Sequence, residues 1–191
     1  MKTLQQTLVI MVVTAMMTGL AAAQTLSQQA GAYASWLNAD DLDDGFGVGL
    51  KYSLMVQDVA PALPKLGVGF DVRAGWLTFD GDDNDYGVDV DMFPIELTAL
   101  VSYEVMDGAK PYAGLGVGYY FFDADSRWYD VDDEFGVYAL LGWDQKVYEG
   151  LSVFAEAKYL WLEPDIKGPG RSKADLDVGG FGVNLGVCFN W

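Results

Sequence analysis

Six ionisable residues stand at alternate positions of otherwise apolar or glycine-rich runs: Lys51, Asp71, Arg73, Glu96, Glu156 and Lys158. Three are basic and three acidic. Two carboxylates such as Glu96 and Glu156 could serve acid–base chemistry if their surroundings separated their proton affinities. No nucleophile accompanies them, and the chain has no histidine. That removes the usual general base, and with it Ser-His-Asp, Cys-His and His-metal sites. The one cysteine, Cys188, can form neither an internal disulfide nor a cysteine zinc site, and reads as a small apolar filler. The expectation is therefore no catalytic residues, no cofactor and no enzyme. The six charges are expected to form an interior ion network that holds neighbouring segments in register; the sharper alternative is a gate whose ion pairs rearrange.

A second set of candidates is acidic. The chain carries 28 Asp and Glu against 11 Lys and Arg, a net charge of −17. Eighteen of those acids fall in four stretches: Asp40, Asp41, Asp43 and Asp44; Asp80, Asp82, Asp83 and Asp85; Asp123, Asp125, Asp130, Asp132, Asp133 and Glu134; and Glu163, Asp165, Asp175 and Asp177. Within the second, Asp80, Asp82 and Asn84 place oxygens at positions 1, 3 and 5 of a calcium-type loop, with Asp91 at position 12. Asp85 stands where such a loop requires glycine, so a solvated, self-repelling loop is the expected reading, with no dedicated metal site. Divalent cations bridging these loops to anionic lipid headgroups are the remaining metal expectation. Nucleic acid is excluded as a partner, because phosphate binding needs clustered Lys and Arg.

The elements that must position these residues are strands. An acidic, disordered chain lacks aromatics, yet this one is 51% hydrophobic and 14% aromatic, so acid and apolar residues must be segregated. Apolar residues recur at every second position, the mark of a strand with two different faces. In the last strand Phe181, Val183, Leu185, Val187, Phe189 and Trp191 share one face, and Gly182, Asn184, Gly186, Cys188 and Asn190 the other. The same texture runs around Phe46–Leu54, Val68–Trp76, Ile95–Tyr103, Ala113–Phe121, Val137–Trp143 and Leu151–Trp161, and more faintly over Ala30–Leu37. Near Phe93-Pro94 the alternation of Val88, Val90 and Met92 is read as switching parity, which predicts a bulge. The count is eight strands, each about the ten residues that cross a bilayer when tilted.

The connections alternate in length. Asn38–Gly45, Asp80–Gly87, Asp123–Glu134 and Glu163–Asp177 are long; Met106–Lys110 and Val147–Gly150 are short; Val56–Lys65 is intermediate. Long loops on one side, short turns and both termini on the other, describe an up-and-down transmembrane barrel. The polarity of the faces separates this from a soluble barrel. Tyr103, Tyr159, Trp76, Trp143, Trp161, Phe189 and Trp191 sit at strand ends on the apolar face, as in the aromatic girdles of outer-membrane barrels. Lys51, Arg73 and Lys158 on a lipid face would cost about 2–4 kcal/mol each at the midplane, so the charged face is placed inward. Before the strands, Met1-Lys2, the uncharged Leu8–Leu20 run and Ala21-Ala22-Ala23 lay out a secretory signal peptide. The expected organisation is a cleaved segment, 1–23, and a barrel domain, 24–191.

The glycine-alternating strand Lys110-Pro111-Tyr112-Ala113-Gly114-Leu115-Gly116-Val117-Gly118-Tyr119, the run Phe154-Ala155-Glu156-Ala157-Lys158-Tyr159 and the ending Val187-Cys188-Phe189-Asn190-Trp191 resemble the small outer-membrane β-barrel proteins, the OmpA-like and OmpX-like eight-stranded group. The resemblance implies an all-β, eight-stranded antiparallel barrel in the outer membrane of a Gram-negative-type bacterium. It also implies that Phe189 and Trp191 form a C-terminal signal read by the barrel-assembly machinery, although most relatives end in Phe. The expected function is structural or surface-interacting: a monomer in outer-membrane lipid, closed inside and presenting acidic loops. A narrow channel for small or amphipathic solutes is the alternative, and a lipid-modifying barrel enzyme, a type that leans on a catalytic histidine, a distant third.

Overall fold

A computed structural model describes residues 25–39, 44–60, 62–79, 90–124, 130–162, 164–167, 173–175 and 178–191. The expected signal segment 1–23 lies outside them, as do Asp80, Asp82 and Asn84.

Among the described residues eleven strands follow one another: β1 Thr25–Ala39, β2 Asp44–Gln57, β3 Leu66–Phe79, β4 Val90–Tyr103, β5 Ala109–Ala124, β6 Asp130–Val131, β7 Glu134–Tyr148, β8 Leu151–Trp161, β9 Asp165–Lys167, β10 Lys173–Asp175 and β11 Gly180–Asn190. Eight of them close a barrel in the order β1-β11-β8-β7-β5-β4-β3-β2, and every neighbouring pair in it is antiparallel. Closure leaves no unpaired edge, the condition for a sheet to sit in hydrocarbon. The wall is staggered. Stepping across paired residues from Gln29 through Ser53, Asp71, Thr98, Gly116, Tyr138, Leu160 and Gly180 returns to β1 at Ala39, ten residues from the start. Such a stagger tilts the strands against the barrel axis. The other three strands, β6, β9 and β10, make a small antiparallel sheet within the third and fourth long connections.

The period-2 pattern sorts the two faces. At mid-wall the outward positions are apolar: Leu50, Leu115, Leu141 and Leu185 are 58–71% exposed, with small Ala32, Ala74, Ala99, Ala139 and Ala157 between such knobs. Aromatics gather toward both ends of this belt. Trp36, Trp76, Tyr119, Phe121, Tyr159 and Trp161 ring the loop side; Tyr52, Tyr103, Trp143, Phe189 and Trp191 ring the side of the termini. Trp191 stacks on Phe189 at 5.9 Å and lies 6.2 Å from Tyr52, while its N–H donates to the Gln28 carbonyl. The C-terminal residue is thus fastened to the girdle and to β1.

Three expectations are corrected. The first strand is longer than the faint Ala30–Leu37 signal, because small outward residues (Ala30, Ala32, Ala34) hide a strand whose register with β2 and β11 is unbroken. Its extension leaves only residues 40–43 between β1 and β2, so the first loop is short; Asn38 Nδ2 donates to Asp44 Oδ1 at 2.8 Å across its base. And no bulge occurs at Phe93-Pro94: the pairs Ala74–Ile95 and Leu77–Met92 keep one register. Val90, Met92 and Pro94 share the inward parity of Glu96 and are buried. The pattern misleads here because it equates apolar with outward, whereas the inside near the loops is itself apolar. What does change at Pro94 is the ladder. Gly75 and Trp76 have no paired partner on β4, where proline lacks the N–H a ladder bond needs.

Candidate functional site: the barrel interior

The inward positions fill the barrel in layers. Nearest the midpoint is a compact ion core. Arg73 lies beside Lys51 and Glu96 in register. Its guanidinium donates Nε and one terminal nitrogen to Asp71 (3.0 and 2.7 Å), and both terminal nitrogens to Glu156 (2.6 and 2.9 Å). A planar five-donor fork suits this double clamp. Glu156 is the hub. Its two oxygens also accept from Lys51 Nζ at 3.1 Å, Tyr112 Oη at 2.6 Å and Asn184 Nδ2 at 3.1 Å. Asn184 in turn accepts from Ser35 at 2.7 Å, linking the hub to β1. Lys51 also sits 4.0 Å from the centre of the Phe154 ring, a cation–π contact. Asp71, Arg73 and Glu156 are all at most 2% exposed.

A second cluster lies toward the loops. Glu96 Oε1 accepts from Tyr120 Oη at 2.8 Å and pairs with Lys158; the Lys158 ammonium lies 4.3 Å from the Tyr138 ring centre. Tyr138 Oη and Thr98 Oγ1 share a 2.6 Å hydrogen bond. The structure therefore places the six sequence-derived charges inside, as two clusters of four and two. Beyond the second, the interior turns apolar: Leu37, Leu77, Phe79, Val90, Met92, Leu160, Leu162 and Val178 pack into one buried cluster with Tyr120 and Tyr138.

Sequence reasoning left out the partners that complete the network: Tyr112, Tyr120, Tyr138, Thr98, Asn184 and Ser35. A usable signal was present. Each tyrosine lies near an inward glycine of the neighbouring strand. A Cβ on Gly142 would come within 2.3 Å of the Tyr112 ring, and one on Gly116 within 2.2 Å of the Tyr138 ring, both far inside van der Waals contact. The glycines of the inner face thus make room for rings that reach over them to the ion clusters. Asp144 was also left out. It is 8% exposed and accepts from Ser152 at 2.8 Å, which accepts from Asn190 at 3.2 Å.

Small voids interrupt the packed interior on either side of the ion core. One, of about 30 Å³, lies on the side of the termini between Ser53, Lys51, Lys110 and Asp144; another, of about 20 Å³, lies between Leu37, Leu77, Met92, Pro94 and Glu96. A water needs about 10–15 Å³ by this measure, so neither is a continuous water path. No group of three or more Asp, Glu, His or Cys arranged to hold a metal ion occurs among the described residues. Cys188 points inward and is 1% exposed, among packing partners.

A closed eight-stranded barrel with an apolar outer belt, aromatic ends and a charged interior has a known counterpart. The profile of the family described as "Outer membrane protein beta-barrel domain" matches residues 8–189. The chain belongs to that family. Its place is accordingly the outer membrane of a Gram-negative-type bacterium. Solved structures agree in fold. The outer membrane protein OprG from Pseudomonas aeruginosa is 19% identical, with 88% of this chain and 97% of that one covered and a TM-score of 0.60. Neisserial surface protein A is 17% identical, with 88% and 98% covered and a TM-score of 0.57. A major outer membrane protein from Thermus thermophilus is 15% identical, with 88% and 100% covered and a TM-score of 0.54. No curated protein sequence matches.

Proposed function

We propose that this family member is a closed, non-catalytic outer-membrane barrel with a structural and surface-interacting role. The carrying observation is the interior itself. An ion core centred on Glu156, the Glu96–Lys158 pair and an apolar layer lie in series, and opening a water path would require all three to part. Breaking a buried ion pair by removing one partner costs about 3–5 kcal/mol, so spontaneous opening is rare. In this reading the protein is a monomer surrounded by outer-membrane lipid and inserted by the barrel-assembly machinery through Phe189 and Trp191. The face opposite the termini is extracellular. The acidic residues there, including the cross-strand pair Asp91–Asp123 at the loop end of the wall, attract divalent cations that bridge to anionic headgroups, because like charges directly opposite one another repel unless neutralised. Planar-bilayer recording is the test. Purified protein should give no steady openings, and Arg73→Ala should create them; a stable conductance in the unaltered protein would sink the closed reading.

One observation favours a second reading, a route for small amphipathic solutes. The interrupted ladder at Gly75–Trp76 opposite Pro94 lies beside the apolar loop-side layer and its 20 Å³ void. A solute admitted from the loops could leave sideways through that stretch of wall without passing the ion core. Vesicle uptake of an amphipathic fluorophore distinguishes the two: the channel reading expects uptake that Pro94→Ala reduces, the closed reading expects neither.

A further inference from the structure

Three charged residues of the terminal side, Lys51, Lys110 and Asp144, line the 30 Å³ void with Ser53, Ser102 and Tyr112. Lys51 is committed to Glu156. The other two are not committed to each other. Lys110 and Asp144 are directly paired in register on β5 and β7, the arrangement in which opposite charges usually meet. Instead Asp144 takes its hydrogen bond from Ser152 through Oδ2. Among the described residues no ion pair within 4.0 Å joins it to Lys110. A cation and an anion therefore flank one small space, held apart.

That space also holds an unanswered donor. Ser53 is 1% exposed, and its Oγ has no hydrogen-bond partner. Leaving a buried hydroxyl unpaired costs about 1–3 kcal/mol, and an orphan of this kind calls for a ligand or water. The void admits two or three water-sized groups. Half-buried Gln29, Gln57 and Lys110 border it toward the barrel mouth on the side of the termini, while Met55 and Leu100 give it an apolar wall.

From this geometry we infer that the terminal-side vestibule is a binding site for a small zwitterion, one whose carboxylate meets Lys110 and Ser53 and whose ammonium meets Asp144. Single ions are disfavoured, because either sign would approach a like charge on the opposite wall. Charge-assisted hydrogen bonds at both ends supply the attraction. Met55 and Leu100 limit the class to molecules with little or no side chain. The site is blind: Lys51 and Tyr112, both bonded to Glu156, line its inner end, so occupancy requires no conduction.

Glycine is the minimal probe. In isotope-labelled protein in detergent micelles, glycine should shift the amide resonances of Ser53, Lys110 and Asp144 saturably. Acetate, methylamine and leucine should each bind at least tenfold more weakly. Lys110→Met and Asp144→Asn should each weaken glycine at least tenfold, and Ser53→Ala should weaken it several-fold. Heat-dependent gel mobility confirms that each variant is a closed barrel, and the comparison of ligands on the unaltered protein stands even if a variant does not fold. Absence of saturable shifts, or equal shifts from glycine and acetate, would overturn the assignment and leave a hydrated pair only. Shifts that persist unchanged in both charge variants would overturn it as well.

Discussion

Replacing Glu156 by glutamine tests the interior network at its hub. The substitution keeps shape and removes one charge. Five donor groups converge on the two carboxylate oxygens: Oε1 takes Arg73, Lys51 and Tyr112, and Oε2 takes Arg73 and Asn184. Whichever oxygen becomes an amide nitrogen, at least two donors then face a donor. Arg73 retains Asp71, but Lys51 loses its only carboxylate within 4.0 Å among the described residues and is left 6% exposed in the interior. An uncompensated buried charge costs about 3–5 kcal/mol, and that is the expected loss in equilibrium urea unfolding of protein folded into lipid vesicles, followed by tryptophan fluorescence. Adding Lys51→Met removes the stranded ammonium, so the double variant should recover part of the loss, with a coupling of about 1–3 kcal/mol. A loss below about 1 kcal/mol for Glu156→Gln, or strict additivity with Lys51→Met, would refute the reasoning that places a buried, mutually dependent core at this point.

Three further outcomes are expected. Gly142→Val puts a side chain into the Tyr112 ring and should destabilise by at least the roughly 1–3 kcal/mol of ordinary overpacking, with Tyr112→Ala in the same chain restoring part of it in the same unfolding assay. Leu115→Arg, at a position 71% exposed on the outer belt, should cost about 2–4 kcal/mol in a bilayer, and distinctly less in detergent, where the head can reach water. Deleting Trp191 removes its stacking on Phe189 and its bond to Gln28; folding into vesicles, read as the heat-dependent gel shift, should slow several-fold while the folded barrel retains its closed mobility.

Much of the fold is legible from alternation alone, because a membrane barrel wall has one lipid face and one interior face, and the two impose opposite chemistry at every second residue. That logic finds Lys51, Asp71, Arg73, Glu96, Glu156 and Lys158 and assigns them to one face. It fails where the two faces become alike. At Val90 and Met92 both the lipid side and the interior are apolar, so parity cannot be read there and the predicted bulge does not exist. At Ala30, Ala32 and Ala34 the outward residues are too small to announce themselves, and the strand predicted from them is shorter than β1.

What the sequence determined by itself is therefore the class: the eight strands that close the barrel, the side of each charge in the wall, and the segregation of acid into the connections away from an apolar belt; the small sheet of β6, β9 and β10 gave no such signal. These follow from local periodicity and from the cost of placing charge in hydrocarbon. Which charges meet was decided only by the closed tertiary structure. Glu156 and Arg73 are 83 residues apart in the chain, and Lys110 and Asp144 are neighbours in register yet not bonded to each other. Stagger and inward glycines set those distances, and neither can be read from one strand at a time, because each depends on the circumference being closed.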